Sequence, residues 1–91
     1  MGEKLFVGNL SFRLTQAELE DFVFSLGVRA EEVVVIEDRA TGQSRGFGFV
    51  RLADDQDCDV AVHTLSEQLI AGRLLLVRRA TSDVRPGRRI L

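Results

Sequence analysis

The octapeptide Arg45-Gly46-Phe47-Gly48-Phe49-Val50-Arg51-Leu52 decides how this chain is read. In an extended strand, residues two apart share a face. Arg45, Phe47, Phe49 and Arg51 therefore point one way, and Gly46, Gly48, Val50 and Leu52 the other. An ordinary half-buried strand turns its apolar side chains inward and its polar ones to water. Here the large rings share a face with arginines, while the opposite face carries glycine, valine and leucine. Core packing alone does not account for that distribution.

A second strand of the same kind lies near the amino terminus. In Lys4-Leu5-Phe6-Val7-Gly8-Asn9-Leu10, Leu5 and Val7 can face a core while Lys4, Phe6 and Gly8 face outward. Rings displayed this way beside cations stack nucleobases. The hexamer from Leu5 to Leu10 and the octamer from Arg45 to Leu52 resemble the two RNP motifs of the RNA recognition motif (RRM) family, whose octamer runs K/R-G-F/Y-G/A-F-V-x-F/Y. Leu52 stands where that pattern has an aromatic. By the alternation above it faces the core, so the departure concerns packing and leaves the outer face intact. The resemblance extends through a D-R-x-T-G-x-S-R-G-F-G-F-V stretch from Asp38 to Val50 and a G-R-x-L-x-V-x-x-A ending from Gly72 to Ala80, and spans residues 3–80.

The resemblance implies an α+β fold: a ferredoxin-like βαββαβ sandwich, with a four-stranded antiparallel sheet and two helices packed on one face. It also implies binding of single-stranded RNA, and of single-stranded DNA more weakly. Phe6 and Phe49 would stack on bases, and Phe47 would sit against sugars. Arg45 would hold a phosphate, with Lys4, Asn9, Arg51 and Arg78 as further contacts.

Composition agrees with one small domain of 91 residues, 45% of them hydrophobic. Residues 1–80 are expected to form the domain. Residues 81–91, with Pro86-Gly87 and Arg85, Arg88 and Arg89, are expected to form a flexible tail. The single Cys58 cannot close an intramolecular disulfide. No apolar run approaches the roughly 18 residues of a membrane span, and no signal peptide precedes the first strand. A soluble, intracellular protein is expected, cytoplasmic before nuclear.

Charge runs against the motifs. The net charge is −2, whereas nucleic-acid binders are usually basic. Its distribution matters more. Residues 1–72 carry six basic and thirteen acidic side chains, hence −7, and residues 73–91 carry six arginines against Asp83, hence +5. The acidic groups gather at Glu18, Glu20 and Asp21 and at Asp54, Asp55, Asp57 and Asp59, both in helical segments. Exposed charges are screened over about 8 Å at physiological salt, so a locally positive face can hold phosphates on an acidic protein.

The remaining elements follow from local signals. Thr15-Gln16-Ala17-Glu18 is a capping box. Leu19, Phe22, Val23 and Leu26 then recur at helical spacing, Gly27 ends the run, and Phe24 lies off the stripe. Val33 to Glu37 reads as a strand. Asp54 is the expected cap of a second helix with Cys58, Ala61, Val62 and Leu65 as its stripe, and Gly72 to Ala80 reads as one last strand. Leu5, Val7, Leu19, Phe22, Val50, Val62, Leu75 and Val77 are the predicted core.

Other chemistries fit poorly. His63 and Cys58 stand five apart on one helix, on different sides of it, and make no catalytic or metal cluster. Arg51 occupies the place of a third glycine in any dinucleotide-binding reading of Gly46-Phe47-Gly48. The clustered aspartates lack the loop glycine and terminal glutamate of a calcium loop. Neither enzyme, cofactor, metal nor small-molecule substrate is expected. The competing reading is a protein-interaction module that uses the acidic helices to meet a basic partner.

Overall fold

A computed structural model of the chain describes residues 3–80, so the tail expected at 81–91 lies outside the described residues. Strand β1 (Lys4–Gly8) leads to helix α1 (Gln16–Ser25), strands β2 (Ala30–Glu37) and β3 (Ser44–Leu52), and helix α2 (Cys58–Leu65). A short hairpin, β4 (Leu69–Ile70) and β5 (Arg73–Leu74), precedes strand β6 (Leu76–Arg79). The main sheet is antiparallel in the order β2-β3-β1-β6. Strands β1 and β2 therefore run parallel on either side of β3, and β3 and β6 on either side of β1. Each pair is joined through a helix, giving two interleaved split βαβ units.

Both helices cover one face of this sheet. Leu19 and Val23 from α1, with Ala61 and Leu65 from α2, join Leu5, Val7, Val33, Val35, Val50 and Leu52 in one buried cluster. This is the predicted architecture, and the octamer alternates as expected: Val50 and Leu52 are fully buried while Phe47 and Phe49 are not. Leu52 therefore serves as a core residue. The predicted core needs one correction. Phe22, Val62 and Val77 are only partly buried and pack against the cluster from its edge. On α1 the fully buried positions are Leu19 and Val23, four apart, so Phe22 sits to the side of the line that faces the sheet.

Gly48 shows why the octamer needs its middle glycine. It lies on the inner face between Val7 and Val35, and a Cβ there would collide with the backbone carbonyl oxygen of Val34. The backbones of β2 and β3 approach too closely to admit a side chain. Gly48→Ala should therefore destabilise the domain by about 1 to 3 kcal/mol or more, seen as a lowered melting temperature. An unchanged melting temperature would mean that the two strands separate without cost.

Local chemistry sets the helix boundaries. The Thr15 side chain accepts from the Glu18 amide at 3.1 Å while the Glu18 carboxylate accepts from the Thr15 amide at 2.9 Å, completing the predicted capping box. Gly27, at φ +83°, follows the last turn, a conformation that glycine adopts without a Cβ penalty. The second helix begins later than predicted. Its cap is Asp57, which accepts from the Val60 amide at 3.0 Å, rather than Asp54. The intervening residues are taken up by a turn in which the Gln56 amide donates to the Ala53 carbonyl and the Gln56 side chain accepts from the Arg29 amide.

The last segment also differs from prediction. In place of one strand from Gly72 to Ala80, a hairpin turns at Ala71 and Gly72, both at positive φ, the conformation of a type I′ turn. The chain then breaks at Leu75, which drops into the core while its amide donates to the Gln68 carbonyl. Strand β2 is longer than predicted, starting at Ala30.

Candidate nucleic-acid interface

Strand register assembles the uncovered face. Phe49 pairs with Phe6 across β3 and β1, Val34 flanks it on β2, and Arg78 flanks Phe6 on β6. One row across the sheet thus reads Val34, Phe49, Phe6, Arg78. A second row reads Glu32, Arg51, Lys4. In a third, Phe47 pairs with Gly8, which in turn pairs with Leu76.

The three rings touch one another. Phe6 and Phe47 lie 5.8 Å apart at 29°, Phe6 and Phe49 lie 6.0 Å apart at 70°, and Phe47 and Phe49 lie 6.3 Å apart at 90°. These separations fall within the 4.5–7 Å of favourable aromatic pairs, so each ring limits the freedom of the others. Gly8 makes room for the arrangement: the Phe6 ring leans over it, with Cε2 2.8 Å from where a Cβ would stand. The result is a half-buried aromatic patch on the side of the sheet opposite the helices.

Cations border the patch. Lys4 Nζ lies 5.0 Å from the Phe49 ring centre, in cation–π range. Arg78 is exposed beside Phe6, and Arg45 is exposed two residues before Phe47. Neither forms an ion pair among the described residues. Between Arg45 and Phe47 the chain bends at Gly46, φ +89°, whose amide donates to the Ser44 hydroxyl and whose carbonyl accepts from the Leu10 amide. The preceding β2–β3 loop is closed by Asp38, whose carboxylate accepts from the Ala40 and Thr41 amides.

Two predicted contacts are engaged within the protein itself. Arg51 is paired with Glu32 at 3.0 Å, so this part of the sheet face is not purely cationic as the octamer alone suggested. Asn9, at φ +60°, donates its amide to the Leu74 carbonyl at 2.7 Å and accepts from Arg73 at 2.9 Å. Its side chain ties the end of β1 to the β4–β5 hairpin.

Other residues escaped sequence reasoning. Phe12, 64% exposed in the loop after β1, rests its ring against Gly46. Its signal was a phenylalanine in a polar loop with no helical or strand stripe to join. Glu32, Val34 and Ile36 lie on the uncovered face because Val33 and Val35 are buried; the unbroken apolar run from Val33 to Ile36 did not show which side each residue would take.

The helical side is more self-satisfied than its charge suggested. Arg29 pairs with Asp55 at 3.2 Å and Arg79 with Asp59 at 2.8 Å, while Asp57 caps α2. Burial pushes the Cys58 thiol up, against the pull of nearby Arg79, so it stays protonated and weakly nucleophilic near neutral pH. Phe24 is exposed on α1. Among the described residues no three His, Cys, Asp or Glu are grouped to hold a metal ion, and no helix is long and apolar enough to cross a membrane.

A split βαββαβ sandwich with three clustered rings on its bare sheet face defines the RRM class of domain, and comparison with known proteins agrees. The family model for the RNA recognition motif matches residues 5–76, and the chain belongs to that family. It is 42% identical over 82 residues to glycine-rich RNA-binding protein 1 of Mycosarcoma maydis, covering 90% of this chain but 46% of that protein. The chain thus spans about half the length of this curated relative. Among solved structures it resembles RNA Binding Protein PG1, with a TM-score of 0.76 and 37% identity over 92% of this chain and 98% of that one. It also resembles the second RRM domain of the yeast poly(U)-binding protein, with a TM-score of 0.75 and 31% identity over 86% and 93% of the two chains.

Proposed function

We propose that the domain binds single-stranded RNA by stacking bases on Phe6 and Phe49 and a sugar on Phe47, with Lys4, Arg45 and Arg78 holding phosphates. The observation that carries this reading is the ring cluster, all centre separations within 6.3 Å, on the face the helices leave bare. The names of the relatives, an RNA-binding protein and a poly(U)-binding protein, support it. Two or three stacking rings suit about two to four nucleotides. Single-stranded DNA should bind more weakly for want of 2′-hydroxyl contacts.

A salt titration separates charge from stacking. Three phosphates held by Lys4, Arg45 and Arg78 give a log–log slope of affinity against salt of roughly −2, from about −0.7 per phosphate on single strands. Arg45→Ala should flatten the slope, whereas Phe49→Ala should weaken binding at nearly constant slope. Affinity of the parent domain that hardly responds to salt would remove the cations from the mechanism. The alternative, a basic protein partner on the acidic helices, is less favoured because Asp55 and Asp59 already have arginine partners and Asp57 caps a helix.

A further inference from the structure

The uncovered face continues beyond Phe49 toward the edge strand β2. There Lys4, Glu32, Val34, Ile36, Phe49 and Arg51 line a groove of about 330 Å³, the size of a small-ligand site. We propose that this groove is a further base subsite selective for guanine, in which Glu32 reads the base and Arg51 assists. The inference rests on the sheet face being an RNA platform, and it adds a sequence preference that the three rings alone do not provide.

Stacking is tolerant of sequence, because every base has a π-face. Discrimination needs directed hydrogen bonds, and the groove has a matched pair of groups to make them. An ionised carboxylate only accepts, and a guanidinium only donates. Glu32 and Arg51 hold these functions side by side, 3.0 Å apart, with side chains 55% and 50% exposed. An exposed ion pair of this kind is weak and opens readily to a ligand. Val34, Ile36 and Phe49 supply apolar surface for the faces of a base. Phe49 belongs to both the groove and the ring cluster, so a strand stacked on the rings can pass directly into the groove.

Among the RNA bases, guanine alone has two adjacent donors, N1–H and the N2 amino group, beside an acceptor, O6. The carboxylate of Glu32 would accept from the two donors while O6 accepts from Arg51. Adenine and cytosine place an acceptor ring nitrogen next to their amino group, and uracil flanks its single N–H with two carbonyls. Each of these turns at least one lone pair toward the carboxylate. Glu32 also brings a negative charge to a site for an anionic strand, and that repulsion is offset only by a base that satisfies the carboxylate.

The test uses fluorescence anisotropy with short oligouridines in which one guanosine, inosine, adenosine or cytidine is walked through the strand. At one position the parent domain should prefer guanosine over adenosine or cytidine by about tenfold, the scale of a bidentate base contact. Inosine, which lacks the N2 amino group, should lose much of that gain. Glu32→Gln should abolish both the guanosine preference and the sensitivity to inosine, yet bind the all-uridine strand at least as tightly as the parent because a repelling charge is gone. A parent indifferent to guanosine, or a Glu32→Gln variant that keeps the preference, overturns the proposal while leaving the platform standing. A parent that binds none of the strands overturns the platform and the groove together.

Discussion

Phe49→Ala is expected to weaken binding of short single-stranded RNA by about tenfold to a hundredfold or more while leaving the domain folded. Stacking on an aromatic side chain is worth about 1 to 3 kcal/mol per base, and each 1.4 kcal/mol is a factor of ten in affinity. Phe49 is the ring with most at stake: it meets Phe6 and Phe47 at their edges, lies under Lys4 and lines the groove toward β2. None of those partners belongs to the buried cluster between sheet and helices, so thermal melting should change little. Phe6→Ala should act in the same direction, and its loss also leaves Phe47 without its stacked neighbour. Two variants that both bind RNA as well as the parent would rule out stacking as the mechanism.

Leu19→Ala should do the reverse, destabilising the domain by about 2 to 5 kcal/mol without altering affinity under conditions where the variant stays folded. Leu19 is fully buried where α1 meets the sheet, and its truncation leaves a cavity in a core shared by both helices. Against a total stability of about 5 to 15 kcal/mol, that is a large fraction. Phe22→Ala should cost less than a ring of its size would if buried, because Phe22 packs at the edge of the cluster. Urea denaturation of the three variants orders them Leu19→Ala, Phe22→Ala, Phe49→Ala from most to least damaged. Greater damage from Phe49→Ala than from Leu19→Ala would mean that the inner and outer sheet faces have been assigned in reverse.

Features with short-range causes were legible in the sequence. The ring-bearing face follows from period-two alternation, and the start of α1 follows from reciprocal hydrogen bonds between Thr15 and Glu18. What escaped was set by distant partners. Asp57 rather than Asp54 caps α2, after a turn whose Gln56 side chain accepts from the Arg29 amide, 27 positions away in the chain. The last strand is divided because the Leu75 backbone pairs with Glu67 and Gln68, ahead of the hairpin, rather than with β1, and the residues around Leu75 do not announce those partners. Arg51 read as a free cation until β2 brought Glu32 across from it. Local spacing cannot reveal a cross-strand partner 19 residues away.

The central claim is that the bare sheet face, and not the helical face, receives RNA. A chemical-shift perturbation map of the domain with short single-stranded RNA tests it most directly. The account predicts saturable shifts at Lys4, Phe6, Arg45, Phe47, Phe49 and Arg78, with Glu18, Asp21, Asp59 and His63 nearly unmoved. Shifts confined to α1 and α2, with the ring-bearing strands silent, would contradict it.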